Sequence, residues 1–293
     1  MSARALARLL ASALIATAAV PAARPARAAP QGRLRLVVLP CTNIEATFRK
    51  FHPLLARLES TTGLSFRLVA PADLTEFESA TVNGQVDFAL QDPHTFQRLA
   101  RLFDDASLLQ TRGLDGSMRQ AAVVLVRRDS DVTRLDQLRG RVVMFGPRTS
   151  SPKWVAARGL FESEGLAVDR DVKAVNGGCC EDIAFEVALK AVDAGVVCDH
   201  FLGLHDSRQK DIGVDPRSLR IVGRTAPVPT RIFAARKGVP RDVVAAVIGA
   251  LAGLRASAAD DSEVLTSAEL RGFVRTTRAE YLAQLAPARP AGP

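Results

Sequence analysis

The sequence predicts an α/β fold of two compact units, each a sheet flanked by crossover helices. Three observations predict it: apolar runs of strand length, intervening segments whose apolar residues recur every three or four positions, and regular alternation of the two along most of the chain. With 293 residues, 47% of them hydrophobic and 24% charged, the chain is long enough to bury a sizeable core.

Leu34 to Pro40 is almost continuously apolar, as expected of a parallel strand covered on both faces. Phe48, Phe51, Leu54, Leu55 and Leu58 then mark the apolar face of a helix, and Gly63 stands where a helix stops. Next come a strand over Phe66 to Ala70, a short helix from Phe77 to Gly84 and a strand over Val86 to Leu90. The second half continues with Ala121 to Val126, Leu135 to Leu138, Val142 to Phe145, Trp154 to Glu164, Val172 to Val175, Ile183 to Ala191 and Ala194 to Val197. Two polar stretches, Thr111 to Met118 and Thr225 to Arg231, interrupt this order and are read as two chain crossings between the units. No period of 20 to 50 residues repeats, and the Ala/Pro-rich end from Ala286 to Pro293 is expected to fray.

The charge balance, 39 Lys plus Arg against 31 Asp plus Glu, gives a net +8 that first suggests an anionic polymer or membrane. Four of the arginines, Arg4, Arg8, Arg24 and Arg27, lie before Pro30 with no acid among them. That segment has an early basic pair, an apolar run from Leu9 to Val20 and a small-x-small site at Ala26-Arg27-Ala28, the pattern of an export signal peptide cleaved near Ala28 or Ala29. The remainder carries only +4, scattered among acids, with one Trp and one Tyr to stack on bases. Nucleic acid is therefore not expected as a partner. No apolar run approaches the roughly 20 residues needed to span a bilayer, so the exported protein is expected not to be membrane-embedded.

In open parallel sheets ligands gather at the carboxyl ends of strands. The residues that follow the strands are Cys41-Thr42-Asn43, Gln91-Asp92-Pro93-His94-Thr95, Gly146 to Pro152 with Thr149, Ser150 and Ser151, Asn176-Gly177-Gly178-Cys179-Cys180, and Cys198-Asp199-His200. All four cysteines fall in this set. Thr149 to Ser151 precede Pro152, a residue favoured at the first helical position, so their hydroxyls and the N–H groups behind them are candidates to face an anion. Lys153 and Arg148 flank that loop as exposed basic residues that could add positive charge. Asp92 reads as the N-cap of the helix that follows it rather than a ligand group, His94 and His200 as loop hydrogen-bonders, and Trp154 as core.

In order and spacing these segments resemble the phosphonate/phosphate-type periplasmic solute-binding proteins of ABC importers, a branch of the type II binding-protein fold. The residues carrying the resemblance are Phe51-x-Pro53-Leu54-Leu55-x-x-Leu58 with Thr62-Gly63, and Gly84-x-Val86-Asp87-x-Ala89 with Asp92-Pro93. Further along are Arg127-x-Asp129-Ser130, Leu135-x-x-Leu138-x-Gly140, Phe145-Gly-Pro-x-Thr149-Ser150-Ser151, Asn176-Gly177-Gly178 and Val192-Asp193-Ala194-Gly195. The resemblance implies two lobes joined by two crossings with a ligand cleft between them: residues 30–116 plus 227–293 as lobe 1 and 117–226 as lobe 2. It also implies a small phosphate- or phosphonate-like ligand, a permease partner, a monomer, and no cofactor or metal.

Two departures stand out. Where phosphonate-binding relatives follow the glycine loop with a histidine, this chain has Cys179, then Cys180 and Glu181, and the cleft tyrosines are missing, Tyr281 being the only one in the chain. Four cysteines in an exported protein suggest disulfides. Adjacent Cys179 and Cys180 could join only through a strained ring, whereas Cys198 belongs to the same lobe, so one of the pair bridged to Cys198 is the expected link. Cys41, from the other lobe, would then face the leftover thiol. Opposed thiols near His94 and His200 suggest an alternative, a sensor or carrier of a thiophilic ligand such as arsenite or a soft metal that works with a sensor kinase. An enzyme is not expected, a thiol-redox enzyme being the least favoured of the three readings. Cys198 and His200 carry no special spacing, and no Walker loop, dinucleotide fingerprint or Gly-x-Ser-x-Gly elbow occurs. The candidate ligand residues are thus Cys41, Thr42, Asp92, His94, Thr149, Ser150, Ser151, Cys179, Cys180 and Cys198.

Overall fold

The structure, a computed structural model, describes residues 32–39, 44–204 and 214–285. The chain opens with strand β1 (Leu34–Val38), helix α1 (Ile44–Thr62), β2 (Phe66–Val69), α2 (Leu74–Val82), β3 (Phe88–Gln91), α3 (Pro93–Leu99) and β4 (Leu109–Arg112). After the short β5 (Arg119–Gln120) come β6 (Ala122–Arg127), β7 (Val142–Phe145), α4 (Ala157–Ser163), β8 (Lys173–Asn176), α5 (Cys180–Ala188), β9 (Ala194–Cys198), α6 (Phe201–Leu204) and β10 (Leu219–Arg224). The chain then returns through β11 (Val228–Pro229), β12 (Ile232–Ala235), α7 (Arg241–Gly253), α8 (Ala259–Ser267), β13 (Gly272–Arg275) and α9 (Arg278–Ala283).

Two sheets organise these elements. The first has the order β13-β4-β12-β3-β1-β2 and the second β10-β6-β9-β7-β8. Neither is the wholly parallel sheet that the strand-end argument assumed. β1 runs parallel to β2 and β3, and β7 parallel to β8 and β9. The strands nearest the two crossings are antiparallel to their neighbours: β12 to β3 and β4, and β6 to β9 and β10. Two connections join the sheets, from β4 to β6 and from β10 to β12, and on the way β5 and β11 pair antiparallel through Arg119 with Pro229 and Gln120 with Val228.

The apolar runs are explained by two-sided burial. Leu34, Leu36 and Val38 of β1 enter one core, shared with α1 and α7, while Val37 and Leu39 enter another beneath Phe77, Phe96 and Tyr281. β6 repeats the arrangement, with Ala122, Val124 and Val126 on one face and Val123 and Leu125 on the other. Each fully buried Val or Leu contributes roughly 1.5–3 kcal/mol from transfer alone. On α1, Phe51, Leu54, Leu55 and Leu58 are buried as the spacing requires, but Phe48 is exposed, because the inward face in the first turn is taken by Thr47. Gly63, at φ 69°, ends that helix in the left-handed region that glycine adopts at no steric cost.

The last helix is held by a cap at its start and by one buried side chain within it. Thr277 accepts the Glu280 N–H at 3.2 Å, and the Glu280 carboxylate accepts the Thr277 N–H at 2.9 Å, a reciprocal capping box. Farther along α9 the Tyr281 hydroxyl, fully buried, donates to the Thr230 carbonyl at 2.6 Å. Thr277→Ala is therefore expected to cost about 1 kcal/mol of unfolding free energy in urea titration. An unchanged midpoint would show that Tyr281 alone holds the helix.

Candidate functional site

The carboxyl end of β3 meets the start of the helical segment after β7. Asp92, at the N-cap position of α3, makes no side-chain capping bond. Its two carboxylate oxygens instead each accept the Ser151 N–H at 3.1 Å, a contact between residues 59 apart in sequence. This corrects the reading of Asp92 as a cap. A backbone donor at a helix start carries partial positive charge and attracts a carboxylate from another element as readily as one from its own turn. His94 adds to the contact: its N–H donates to Ser151 Oγ at 3.3 Å, and its Nδ1 lies 2.7 Å from the same oxygen. β3 belongs to the first sheet and β7 to the second, so these bonds link the two lobes.

Burial sets the protonation of this pair. Asp92 is only 8% exposed, and loss of solvent pushes its pKa up to about 7 despite the Ser151 and His94 N–H groups and the nearby Arg231 and Arg98. Burial, aided by Arg98, lowers the His94 pKa and favours the neutral imidazole. Beside them, Gln91 and Thr95 are buried to within 1% of full burial. Among the described residues the Gln91 amide oxygen and nitrogen and the Thr95 hydroxyl have no hydrogen-bond partner, a costly state for buried polar atoms. Sequence reasoning placed both after a strand but not among the candidate ligand residues, since an amide and a hydroxyl at a strand end carry no spacing signal.

The opposite wall is the loop from Gly146 to Ser151 and the π-helical turn Ser151–Ala156 that leads into α4. Ser150 Oγ accepts the Lys153 N–H at 3.2 Å and so caps this segment, while Ser151 is turned toward lobe 1. Thr149 lies half-buried in the turn before them. Lys153 is the main surprise. Expected at the surface, it is only 1% exposed, because its stem lies against Gly146, where an added Cβ would come within 2.5 Å of Lys153 Cβ. Its ammonium donates to the Gly178 carbonyl at 3.0 Å, joining the Thr-Ser-Ser loop to the glycine loop after β8. Trp154, 6% exposed, packs edge-on to Phe145, with the Arg148 guanidinium 4.6 Å above its ring.

The glycine loop leads to the cysteines. Cys179, Cys180 and Cys198 are partly exposed thiols, and no disulfide joins them, so the expected bridge to Cys198 is not formed. Cys180 and Cys198 are nevertheless neighbours, with the Cys198 N–H donating to Cys180 Sγ at 3.2 Å. A hydrogen bond from the Cys198 side chain and the charge of Lys153 lower the Cys180 pKa to about 7 against burial and Glu181. Cys179 behaves oppositely: burial pushes its thiol up, and its N–H is directed to Asp182 at 3.3 Å. Cys41 and Thr42 lie outside the described residues. His200 Nδ1 sits 3.9 Å from Asp199. Among the described residues no group of three or more His, Cys, Asp or Glu side chains gathers as metal ligands, so the soft-metal alternative gains no support.

Two α/β lobes, a double connection and strand-end loops of both lobes that meet at Asp92 and Ser151 define the two-lobed binding-protein fold. The family model for the periplasmic phosphonate substrate-binding proteins of ABC transporters matches residues 36–281. The chain belongs to that family, a substrate-binding transporter component. Among solved structures, a binding-protein component of an ABC phosphonate transporter from Pseudomonas aeruginosa superposes with TM-score 0.73 at 14% identity, covering 85% of this chain and 83% of that one. A Prochlorococcus marinus protein in complex with methylphosphonate gives 0.73 at 13% identity over 85% and 94% of the two chains. A Xanthomonas citri protein bound to ATP gives 0.69 at 21% over 86% and 94%. At these identities the likeness establishes the two-lobed fold. No curated protein matches the sequence significantly. Among the described residues no helix is long and apolar enough to cross a membrane.

Proposed function

We propose that the chain captures a small phosphate- or phosphonate-like oxyanion between its lobes and delivers it to an ABC permease, with no chemistry performed on the ligand. The observation that carries this reading is the junction at Ser151, where a carboxylate already occupies the donor at the start of a helical segment. Burial raises the Asp92 pKa, so the reading is supported by the donors gathered there, the Ser151 N–H at the start of a helical segment among them, and not by a stabilised carboxylate. Thr149 and the Ser150 and Ser151 hydroxyls on one wall, with Gln91 and Thr95 on the other, supply further donors. The lobes are taken as residues 30–116 plus 227–293 and 117–226, and the exported form as a monomer that begins at Ala29 or Pro30.

Calorimetric titration with methylphosphonate, phosphate and sulfate tests the ligand class. Saturable binding of at least one phosphorus oxyanion is expected, weakened roughly tenfold or more in Ser151→Ala, as loss of one charge-assisted hydrogen bond requires. Failure of every phosphorus oxyanion to bind the folded protein would sink the reading. Amino-terminal sequencing of the secreted protein tests export, and a chain still starting at Met1 would refute it.

A further inference from the structure

We propose that Cys180 and Cys198 form a redox pair, a dithiol that a small-molecule disulfide such as oxidised glutathione converts to an intramolecular disulfide at the edge of the cleft. This goes beyond ligand capture and does not depend on it.

The geometry is built into the second lobe. Cys180 is the first residue of α5 and Cys198 the last of β9, two elements packed directly together. Their close approach depends on Gly195, where an added Cβ would lie 2.5 Å from Ile183 Cγ2 and 2.8 Å from Val187 Cγ2. The helix therefore settles onto the strand until the Cys198 N–H reaches the Cys180 sulfur. Both residues are partly exposed, although the Cys180 sulfur itself is buried, so exchange requires a local opening that admits the donor disulfide. Cys180 also has the environment of an attacking thiolate: a helix start, the Cys198 side chain as hydrogen-bond donor and the buried Lys153 ammonium nearby. Adjacent Cys179, its thiol pushed up by burial, lacks that environment. The two neighbours are thus sharply differentiated.

The exchange balances without any other reactant. The Cys180 thiolate attacks one sulfur of the donor disulfide, the donor S–S bond breaks, and one donor thiol leaves. Cys198 then loses its proton and attacks Cys180 Sγ in the mixed disulfide, expelling the second donor thiol. The protein's two thiols are oxidised to one disulfide, the donor disulfide is reduced to two thiols, and the two protons pass to the donor. The product replaces the thiolate beside Lys153 with a neutral bridge.

The full chain is incubated with oxidised glutathione at neutral pH, quenched with acid, alkylated and mapped by peptide mass spectrometry. A Cys180–Cys198 link that dithiothreitol reverses is expected in the wild type and in Cys179→Ser. Cys198→Ser should instead hold a lasting glutathione adduct on Cys180. With iodoacetamide at pH 7, Cys180 should be alkylated roughly ten times faster than Cys179. A glutathione adduct on Cys180 that persists in the wild type, a bridge that uses Cys179 or Cys41, or no reaction at Cys180 would each overturn the proposal.

Discussion

Asp92→Asn is expected to raise the unfolding free energy by up to about 4 kcal/mol above pH 7 while changing little near pH 4. The unfolded carboxyl ionises near its ordinary value of about 4, whereas burial holds the folded one up at about 7. Below pH 4 both states carry the proton and the site contributes nothing to the pH dependence. Between these values only the unfolded state ionises, so stability falls as pH rises. Above 7 the folded protein carries the whole cost of a desolvated carboxylate. Asparagine retains an oxygen to accept the Ser151 N–H at every pH. Urea unfolding of both proteins at pH 4.5 and pH 8 measures the effect, and parallel profiles would show that Asp92 is better solvated than its burial indicates.

Gly195→Val is the second large effect, a loss of about 3 kcal/mol from overpacking. Even the first added carbon would stand 2.5 Å from Ile183 and 2.8 Å from Val187, both fully buried in the core between α5 and β9. Both side chains are fully buried, so making room for valine is expected to lift the helix from the strand. The same displacement would part Cys180 from Cys198. The variant is expected to unfold at lower urea concentration and to yield less of the intramolecular disulfide at a given glutathione potential. Wild-type stability in Gly195→Val would mean that α5 adjusts freely and that the thiol contact is not fixed by packing.

Much of the fold was legible because sheet interiors leave a strong imprint. β1 and β6 are covered on both faces, so their residues are apolar almost without interruption and could be recognised one strand at a time. The short β5 and β11, and β12 beside the crossing, are recognisable mainly by their partners, and pairing between residues more than 100 apart leaves little local trace. The site was harder for the same reason. An acid before Pro-His at a helix start satisfies the local rule for a cap, and nothing near Asp92 in sequence reveals that Ser151 offers a competing donor. Lys153 was misplaced because Gly146, whose missing side chain makes the room its stem fills, and the Gly178 carbonyl that receives its ammonium are not adjacent to it in sequence. Cys179, Cys180 and Cys198 lie near strand ends as expected, yet whether two thiols are bonded or merely adjacent is decided by redox conditions rather than by residue order.

The paired β5 and β11 have a mechanical consequence. Joined side by side, two connecting strands cannot slide lengthwise past each other without breaking their hydrogen bonds, while bending across the ribbon leaves those bonds intact. Thr225 and Thr230 fasten its margins, through a bond from the Ala122 N–H to Thr225 Oγ1 at 2.9 Å and one from the Thr230 N–H to the Met118 carbonyl at 3.0 Å. The strap behaves as a leaf spring: compliant along one direction, stiff along the others. A hinge built this way would favour bending over sliding, and the arrangement it holds here is the one in which Ser151 meets Asp92.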